Sequence, residues 1–252
     1  MCGRYASFRN DSDIAAAFRV AEVVAPDSVP PSWNVAPTDD VRVVLDRAPK
    51  DDPAAVRRQL RSVRWGLVPP WAPDPSIGSR MINARSETAL TKPAFRNAAR
   101  HHRLIVPAEG YYEWQKLDPS GRRKQPWYLS DPDGAPLAFA GLYEWRRDRT
   151  LPPDEPAAWL WTCTILTTTA ADALGHVHDR SPVIVPADLL DDWLDPAITD
   201  PEQVRALPAA MPEPHLSPRP VGRAVGSVRN DGPHLIDPVE PAAPEPEGSG
   251  TS

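Results

Sequence analysis

Cysteine is scarce in this chain, since its 252 residues include only Cys2 and Cys163. Two cysteines so far apart cannot form the disulfide framework of a small secreted domain, and they lack the CxxC spacing of a structural zinc site. The sequence also has no apolar run near the roughly 18 residues that cross a membrane, and its start shows no secretory signal pattern. We therefore expect a cytoplasmic protein with no membrane contact, no bound metal and no other cofactor.

Positive charge is not in excess either, because 28 Lys and Arg residues face 34 Asp and Glu residues, for a formal net charge of −6. This balance argues against a uniformly basic protein that binds nucleic acid through clustered Lys and Arg. The acidic excess is concentrated at the end of the chain, where five acidic residues and no Lys or Arg occur from Asp231 onward. The preceding part is close to neutral, so a local basic groove is compatible with the composition.

Proline, in contrast, is abundant, and its 33 occurrences are roughly two to three times the average usage. Such a chain favours loops and short elements over long helices. Apolar and aromatic runs predict strands in VRVVL (41–45), RSVRWGLV (61–68) and AWLWTCTILTTT (158–169). The two runs on either side of the turn Asp131-Pro132-Asp133-Gly134 predict a β-hairpin over 126–145.

The predicted helices are short. Ser12 is a candidate N-cap for a helix over 13–18. Further helices are predicted within 93–102, 170–175 and 187–195, a strand running into a turn over 103–114, and a closing strand over 219–226. The fold class predicted from this pattern is α+β: a single domain over 1–238 around a strongly curved, mostly antiparallel, barrel-like β-sheet with short helices. The Pro- and Glu-rich segment 239–252 is predicted to be a disordered tail.

Cys2 would become the first residue if Met1 were removed. It would then carry a free α-amine, with a reference pKa of about 7.7 to 8.0, next to a thiol with a reference pKa of about 8.5. Such a 1,2-aminothiol condenses with an aldehyde to an imine, and the thiol then closes a five-membered thiazolidine. An internal cysteine cannot do this, because its nitrogen belongs to an amide. The alternative is an incidental cysteine on a frayed terminus.

Two further stretches carry side chains suited to acid–base or polar chemistry. MINARSET (81–88) contains Asn83 and Arg85, which share a face if the segment is extended. PAEGYYEW (107–114) sets Glu109 and Glu113 among aromatic residues, which raise a carboxyl pKa and favour proton transfer. An ordinary polar strand face and a solvated loop glutamate are the respective alternatives.

The stretch GHVHDRSP (175–182) contains His176 and His178. A His-x-His pair can bind a metal, but third and fourth ligands are not evident. One histidine acting as a general acid and base is favoured, because its ordinary pKa suits proton transfer near neutral pH. Cys163, inside an apolar run, is predicted to be buried core.

Nine tryptophans are an unusually large number for this length. Most are expected in the core, but Trp33, Trp65 and Trp71 occur in Pro-rich stretches. Aromatic rings beside arginines suit stacking on unpaired bases, so Trp65 and Trp71 are candidate contacts for single-stranded nucleic acid.

Taken together, these motifs resemble those of the SRAP family, the SOS response-associated peptidases, in order and spacing. The resemblance extends from Cys2 to about Pro238. The segments that carry it are MCGRY, WNVAPT, RWGLVPPW, INARSET, PAEGYYEW, HDRSPVIV and GRAVGSVRNDGP. A visible departure is Ser181, where family members often have methionine.

The resemblance implies binding of single-stranded DNA and a covalent thiazolidine between Cys2 and the ring-opened aldehyde of an abasic site. It places catalytic roles on Asn83, Glu113 and His178. It implies phosphate contacts by Arg4 and Arg85, and it adds further candidate DNA contacts at Asn34, Thr167 and Arg180. From the position of Arg4 we also expect its charge to favour the Cys2 thiolate.

Three functions remain open at this point. The first is shielding of abasic sites in the SOS response by self-crosslinking, with lyase activity through the imine and Met1 removed autocatalytically or by an aminopeptidase. The second is an N-terminal-nucleophile cysteine peptidase in which His178 is the base. The third is a non-covalent single-strand binder. We expect a monomer associated with the nucleoid, because no coiled-coil or repeat pattern occurs.

Overall fold

The computed structural model describes residues 2–49, 52, 54–170 and 179–242. Within them the strands are β1 Tyr5–Ser7, β2 Glu22–Val23, β3 Ser32–Val35, β4 Asp40–Arg47, β5 Arg57–Trp65, β6 Asn83–Arg85, β7 Arg103–Ala108, β8 Gly110–Lys116, β9 Lys124–Ser130, β10 Leu137–Arg147, β11 Trp159–Thr169, β12 Arg180–Pro182 and β13 Ser217–Pro220. The α-helices are α1 Asp11–Phe18, α2 Ser86–Ala89, α3 Arg96–His101, α4 Leu190–Leu194 and α5 Pro201–Ala210. Short 3₁₀ helices span Pro75–Arg80, Pro156–Ala158, Ala187–Leu189, Arg223–Gly226 and Pro233–Ile236.

Five strands close into a barrel in the order β5-β4-β7-β10-β11, because β11 also pairs with β5. That closing contact is parallel and joins Thr162 to Arg64 and Cys163 to Trp65, whereas the other four contacts are antiparallel. β2, β6 and β12 extend the same sheet. A second, five-stranded sheet has the order β13-β9-β8-β1-β3. The prediction of one α+β domain around a barrel-like sheet is confirmed, and the sheet is mixed.

The two faces of the barrel strands pack against different partners, because successive side chains alternate. Val43 and Leu45 join the cluster that fills the barrel, whereas Val44 between them packs outward. The inner cluster also includes Tyr5 and Tyr111 of the second sheet, together with Cys2, which precedes β1. The outer cluster is covered by helices α1 to α4.

The predicted hairpin over 126–145 is wrong, although its turn is present. Gly134 donates its N–H to the carbonyl of Asp131 at 3.2 Å, but β9 pairs with β8 and β13, whereas β10 pairs with β7 and β11. The two runs therefore belong to different sheets. Local chemistry determines the turn, and the non-local strand partners decide the pairing.

The chain also passes from one sheet to the other at Glu109, which lies between β7 of the barrel sheet and β8 of the second sheet. The Glu109 carboxylate accepts the Phe8 N–H at 2.6 Å and pairs with the Arg9 guanidinium at 3.2 Å. The strand running into a turn that was predicted over 103–114 is therefore strand β7, a corner at Glu109 and a second strand, β8. Glu109 stabilises this corner, which leaves Glu113 as the acid–base candidate of that motif.

The first helix and the closing strand also have boundaries that differ from the predicted ones. Helix α1 begins at Asp11, since the Asn10 side chain accepts the Asp13 N–H at 2.8 Å, so the N-cap is Asn10 and not Ser12. The closing strand over 219–226 is wrong beyond Pro220, because Arg223–Gly226 form a 3₁₀ helix. The helix predicted over 170–175 and most of the tail predicted over 239–252 lie outside the described residues.

Candidate active site

Cys2 lies just before β1, where the second sheet meets the barrel. Pairing of the chain start with β8 continues past β1, since Tyr112 donates its N–H to the Arg4 carbonyl at 3.0 Å. The Cys2 side chain is fully buried within the inner cluster. Cys2 is therefore held in the core, which argues against an incidental cysteine on a frayed terminus.

Asn83 reaches Cys2 from the edge of the barrel sheet. β6 pairs in parallel with β11, with Asn83 opposite Ile165, and the Trp65 indole N–H binds the Ile82 carbonyl at 2.9 Å. The Asn83 side chain then donates to the Cys2 main-chain carbonyl at 2.8 Å. Asn83 Oδ1 is buried and accepts no hydrogen bond from the described residues, so it remains available as an acceptor.

Glu113 is on β8 and only 4% exposed. Burial raises the pKa of its carboxyl to about 7, and the charge of Asp179 acts in the same direction, whereas the positive charge at the chain's amino terminus opposes it. The charge of Glu113 also acts on the Cys2 thiol. A carboxyl that titrates near neutral pH beside Cys2 suits transfer of a proton in either direction.

The expectation that the charge of Arg4 favours the Cys2 thiolate is not supported, because Arg4 acts on the thiol through its main-chain hydrogen bond, which lowers the thiol pKa by less than burial raises it. Burial raises the pKa of the Cys2 thiol well above its usual range, and the negative charge of Glu113 raises it further. The Arg4 guanidinium instead donates to Asn34 Oδ1 at 2.8 Å and to the Val225 carbonyl at 2.9 Å. The thiol is thus held protonated.

Asn34 is buried and binds the end of the chain. Its amide donates to the carbonyls of Ser227 at 2.9 Å and Asn230 at 2.7 Å. The prediction that Asn34 contacts DNA is not supported by this position, because its side chain is 5% exposed and both ends of its amide are used. Its effect is to position Arg4.

Arg85, Thr167 and Arg180 are brought together by three adjacent strands. Arg85 of β6 lies opposite Thr167 of β11, and β12 pairs with β11 on its other side. Arg180 binds the Glu87 carboxylate at 2.7 Å and the Thr167 hydroxyl at 3.2 Å. Arg85 is exposed, so of these three it is the one presented to solvent, while Thr167 is buried.

The two tryptophan candidates differ. Trp71 is 62% exposed, in keeping with a surface contact. Trp65 is fully buried, and it ends β5 rather than lying in a turn, so the predicted stacking of Trp65 on bases is wrong. It packs edge-on against Tyr5 at 5.3 Å between ring centroids and holds Ile82 beside Asn83.

His178 and His176 lie outside the described residues, so the role predicted for His178 stays a prediction. Asp179, which follows, is described, and its carbonyl accepts the Ala170 N–H at 3.0 Å. Cys163 is fully buried in the inner cluster, as predicted. Over the described ranges, no group of three His, Cys, Asp or Glu side chains is arranged to hold a metal ion.

Sequence reasoning missed the aromatic residues that enclose Cys2, namely Tyr5 and Tyr111, and the positioning role of Trp65. The alternation of Val63 and Trp65 near the end of β5 was the signal that could have placed Trp65 in the core, because both pack in the inner cluster. No comparable signal exists for Tyr5 and Tyr111, because their proximity to Cys2 depends on pairing between β1 and β8. In the described part of the chain, the helices are too short or too polar to span a membrane.

The chain is similar to known proteins over most of its length. It is 36% identical over 238 residues to the abasic site processing protein YoqW of Bacillus subtilis, covering 94% of this chain and 99% of that one. It is 33% identical over 243 residues to the abasic site processing protein YedK of Escherichia coli, covering 95% and 100%. A crystal structure from Bacteroides thetaiotaomicron shares the fold with a TM-score of 0.75 at 20% identity, covering 95% of this chain and all of that one. Residues 1–228 match the family described as SOS response associated peptidase (SRAP), and the chain therefore belongs to the SRAP family.

Proposed function

We propose that this protein processes abasic sites in single-stranded DNA by forming a covalent thiazolidine between Cys2 and the ring-opened aldehyde of the abasic sugar. The observation that carries the proposal is the hydrogen bond of 2.8 Å from the Asn83 amide to the Cys2 carbonyl, in a pocket that also contains Glu113. The names of the relatives YoqW and YedK support an abasic site as the substrate.

The reaction starts with hydrolysis of the Met1–Cys2 peptide bond, either autocatalytically or by an aminopeptidase. The freed α-amine adds to the aldehyde carbon, and loss of water gives an imine. The thiol then adds to the imine carbon while a proton moves to the nitrogen, which closes the ring. One aldehyde and one aminothiol yield one thiazolidine and one water, so no oxidant or reductant is consumed.

Glu113 supplies the proton transfers that this sequence needs. Because burial raises its pKa to about 7, both of its forms are populated near neutral pH, so it can remove a proton from the amine and return one to the departing hydroxyl. The same carboxylate can accept the thiol proton, which is needed because the thiol is held protonated by burial. His178 is proposed as a second acid and base for opening the sugar ring.

Asn83 orients the nucleophile. Its amide N–H group fixes the Cys2 carbonyl, and its unused Oδ1 is an acceptor for the α-amine or for a sugar hydroxyl. A fixed amine reduces the entropy lost on reaching the aldehyde.

The DNA strand is proposed to follow the exposed groups around this pocket. Arg85 supplies a phosphate contact, and Trp71, 62% exposed, supplies a ring for an unpaired base. Arg180 and Thr167 position Arg85 through the adjoining strands. The imine intermediate also allows β-elimination of the 3′ phosphate, which is the proposed lyase activity.

The test uses a single-stranded oligonucleotide with one abasic site and a denaturing gel. Wild type without Met1 is expected to give a heat-stable adduct with a mass increase equal to the oligonucleotide less one water. Cys2→Ala and a form that retains Met1 are expected to give none. Cys163→Ala is the matched control, because it removes the other buried thiol and should leave the adduct. An equal adduct from Cys2→Ala would refute the covalent mechanism.

Site variants separate this function from the alternatives. Asn83→Ala and Glu113→Gln are expected to form the same adduct at least about tenfold more slowly while binding undamaged strands as well as wild type. If the protein were a cysteine peptidase, wild type would cleave members of a peptide library and Cys2→Ala would not. A non-covalent binder would give complexes on native gels alone.

A further inference from the structure

The end of the barrel remote from Cys2 carries a set of side chains that the proposed chemistry does not use. Strand register places them on one face, the face that continues into the inner cluster. They are Arg47, Arg57, Arg61, Arg147, Trp145, Trp159 and Trp161, called here the Arg–Trp face. Trp159 and Ile165 are six residues apart on β11, which corresponds to about 20 Å at the rise of a strand. Ile165 lies opposite Asn83, which contacts Cys2. The Arg–Trp face is therefore separate from the Cys2 pocket.

Two of the four guanidinium groups of this face, those of Arg47 and Arg61, lie over indole rings. The Arg61 guanidinium carbon lies 4.4 Å from the Trp161 ring centroid, and that of Arg47 lies 5.0 Å from the same ring. Arg47 also lies 5.4 Å from the Trp145 ring centroid. These contacts hold two positive charges side by side and leave the guanidinium edges free for hydrogen bonding.

No carboxylate pairs with these four arginines within the described part of the chain. Arg57 and Arg147 are exposed, and Arg61 Nη1 is buried with no acceptor among the described residues. Burial lowers the pKa of Arg61, and the charge of Arg47 lowers it further, while Glu22 acts weakly in the opposite direction. Several other arginines of the described ranges are paired with acids, as Arg58 is with Asp46 at 2.8 Å. Over the described ranges, the Arg–Trp face thus lacks the anions that neutralise other arginines of this protein.

The composition of the face indicates what it binds. Arginine forks match the paired oxygens of a phosphate, and tryptophan rings and guanidinium planes stack on unpaired bases without sequence preference. An acidic peptide would use the charge but not the exposed ring of Trp159, which is 36% exposed. We propose that the Arg–Trp face is a second binding surface for single-stranded nucleic acid, remote from the Cys2 pocket. This surface binds an undamaged segment of a nucleic-acid strand, and its binding does not depend on a reaction at Cys2.

The test compares two pairs of substitutions with the same loss of charge. Arg57→Gln with Arg147→Gln removes the two exposed arginines of the face, whose side chains lie at the surface. Arg96→Gln with Arg205→Gln is the control, on the exposed surfaces of α3 and α5. Binding of undamaged oligothymidylate of about 30 nucleotides, longer than one stacking site needs, is measured by fluorescence anisotropy over a salt series.

We expect the first pair to weaken binding about tenfold at low salt and to reduce the slope of log affinity against log salt by about 1.4, since each lost phosphate contact removes about 0.7. The control pair should change affinity less than about twofold. Equal effects of the two pairs, or no effect of the first, would overturn the proposal. Crosslinking to a short abasic oligonucleotide of about eight nucleotides should be unchanged in the first pair, so failure here is distinguishable from failure of the chemistry at Cys2.

A second variant tests stacking rather than charge. Trp159→Leu should weaken oligothymidylate binding about fivefold, as expected for one lost base–ring contact, and should leave binding of polyglutamate unchanged. If polyglutamate displaces the oligonucleotide at equal charge concentration, the face selects anions in general, and the assignment to nucleic acid is wrong.

Discussion

The carboxyl of Glu113 is enclosed by the protein, and this has a consequence for stability that can be measured without DNA. An unfolded chain releases this proton near the ordinary pKa of 4.5, whereas the folded chain keeps it to about 7 because of burial. Between these values the folded state binds more protons, so the free energy of unfolding falls as the pH rises. Above pH 7 both states have released the proton, so Glu113 no longer makes the free energy of unfolding depend on pH.

We therefore expect Glu113→Gln to raise the free energy of unfolding relative to wild type at pH 8, by on the order of 3 kcal/mol, and to leave it unchanged at pH 4. Urea denaturation at pH 4, 6 and 8 measures this. Glu155→Gln, at an exposed position, is the control and should show no pH-dependent difference. A gain of the same size at all three pH values would mean that packing, and not ionisation, is responsible.

At the scale of the elements, the approach of β8 to β9 depends on Gly110. A Cβ atom there would lie 2.6 Å from the Leu129 carbonyl oxygen and 2.5 Å from the Tyr128 ring. Both neighbours belong to β9, and Tyr128 is fully enclosed, so neither can move without disturbing the pairing.

Gly110→Ala should lower the free energy of unfolding by about 1 to 3 kcal/mol, the range of an overpacked core, and should lower crosslinking, because β8 also carries Glu113. Gly226→Ala is the matched control, since no described atom lies within 4 Å of the place that a Cβ atom would take there. Thermal denaturation compares the two. Equal midpoints would show that β8 has room for the methyl group.

Strands and helices could be predicted from the sequence where the residues of the segment itself determine its conformation. The strand predicted over 41–45 lies within β4, and the runs of 158–169 correspond to β11. The prediction failed at 126–145 because a good turn says nothing about which strands the two arms join. The prediction that Trp65 stacks on bases failed because it gave more weight to the nearby prolines than to the strand predicted over 61–68, and Trp65 is the last residue of β5.

At the scale of the whole molecule, the two ends of the described chain are held together by Asn34. Its amide binds three main-chain carbonyls near the end, and its oxygen binds Arg4 near the start. Because those carbonyls belong to the motif GRAVGSVRNDGP, the first and last motifs of the family meet in one contact. Their distance along the chain concealed this contact from sequence reasoning.

Asn34→Ala is expected to lower the free energy of unfolding by about 2 to 4 kcal/mol, since several buried groups lose a partner at once. Ser227→Ala keeps the main-chain carbonyl and should change it by less than about 0.5 kcal/mol. Chemical denaturation measures both. If the two variants were equally stable, Asn34 would not be what joins the two ends.

The fold class could be predicted from the sequence, whereas the roles predicted for the site residues stay predictions. Cys2, Asn83 and Glu113 were singled out from their chemistry and motifs, and Asn83 does contact Cys2. The burial of Cys2 and the high pKa of its thiol could not be predicted, because they depend on packing between two sheets.

The enclosure of Cys2 also bears on when the proposed removal of Met1 would take place. A growing chain leaves the ribosome with its amino terminus first, and at that moment Asn83, Glu113 and the carbonyl of Val225 do not yet exist. The proposed aminopeptidase would therefore reach the Met1–Cys2 bond readily on the nascent chain, whereas Cys2 of the folded protein is fully buried. Trimming before the last motif emerges would deliver the aminothiol directly into its closed pocket.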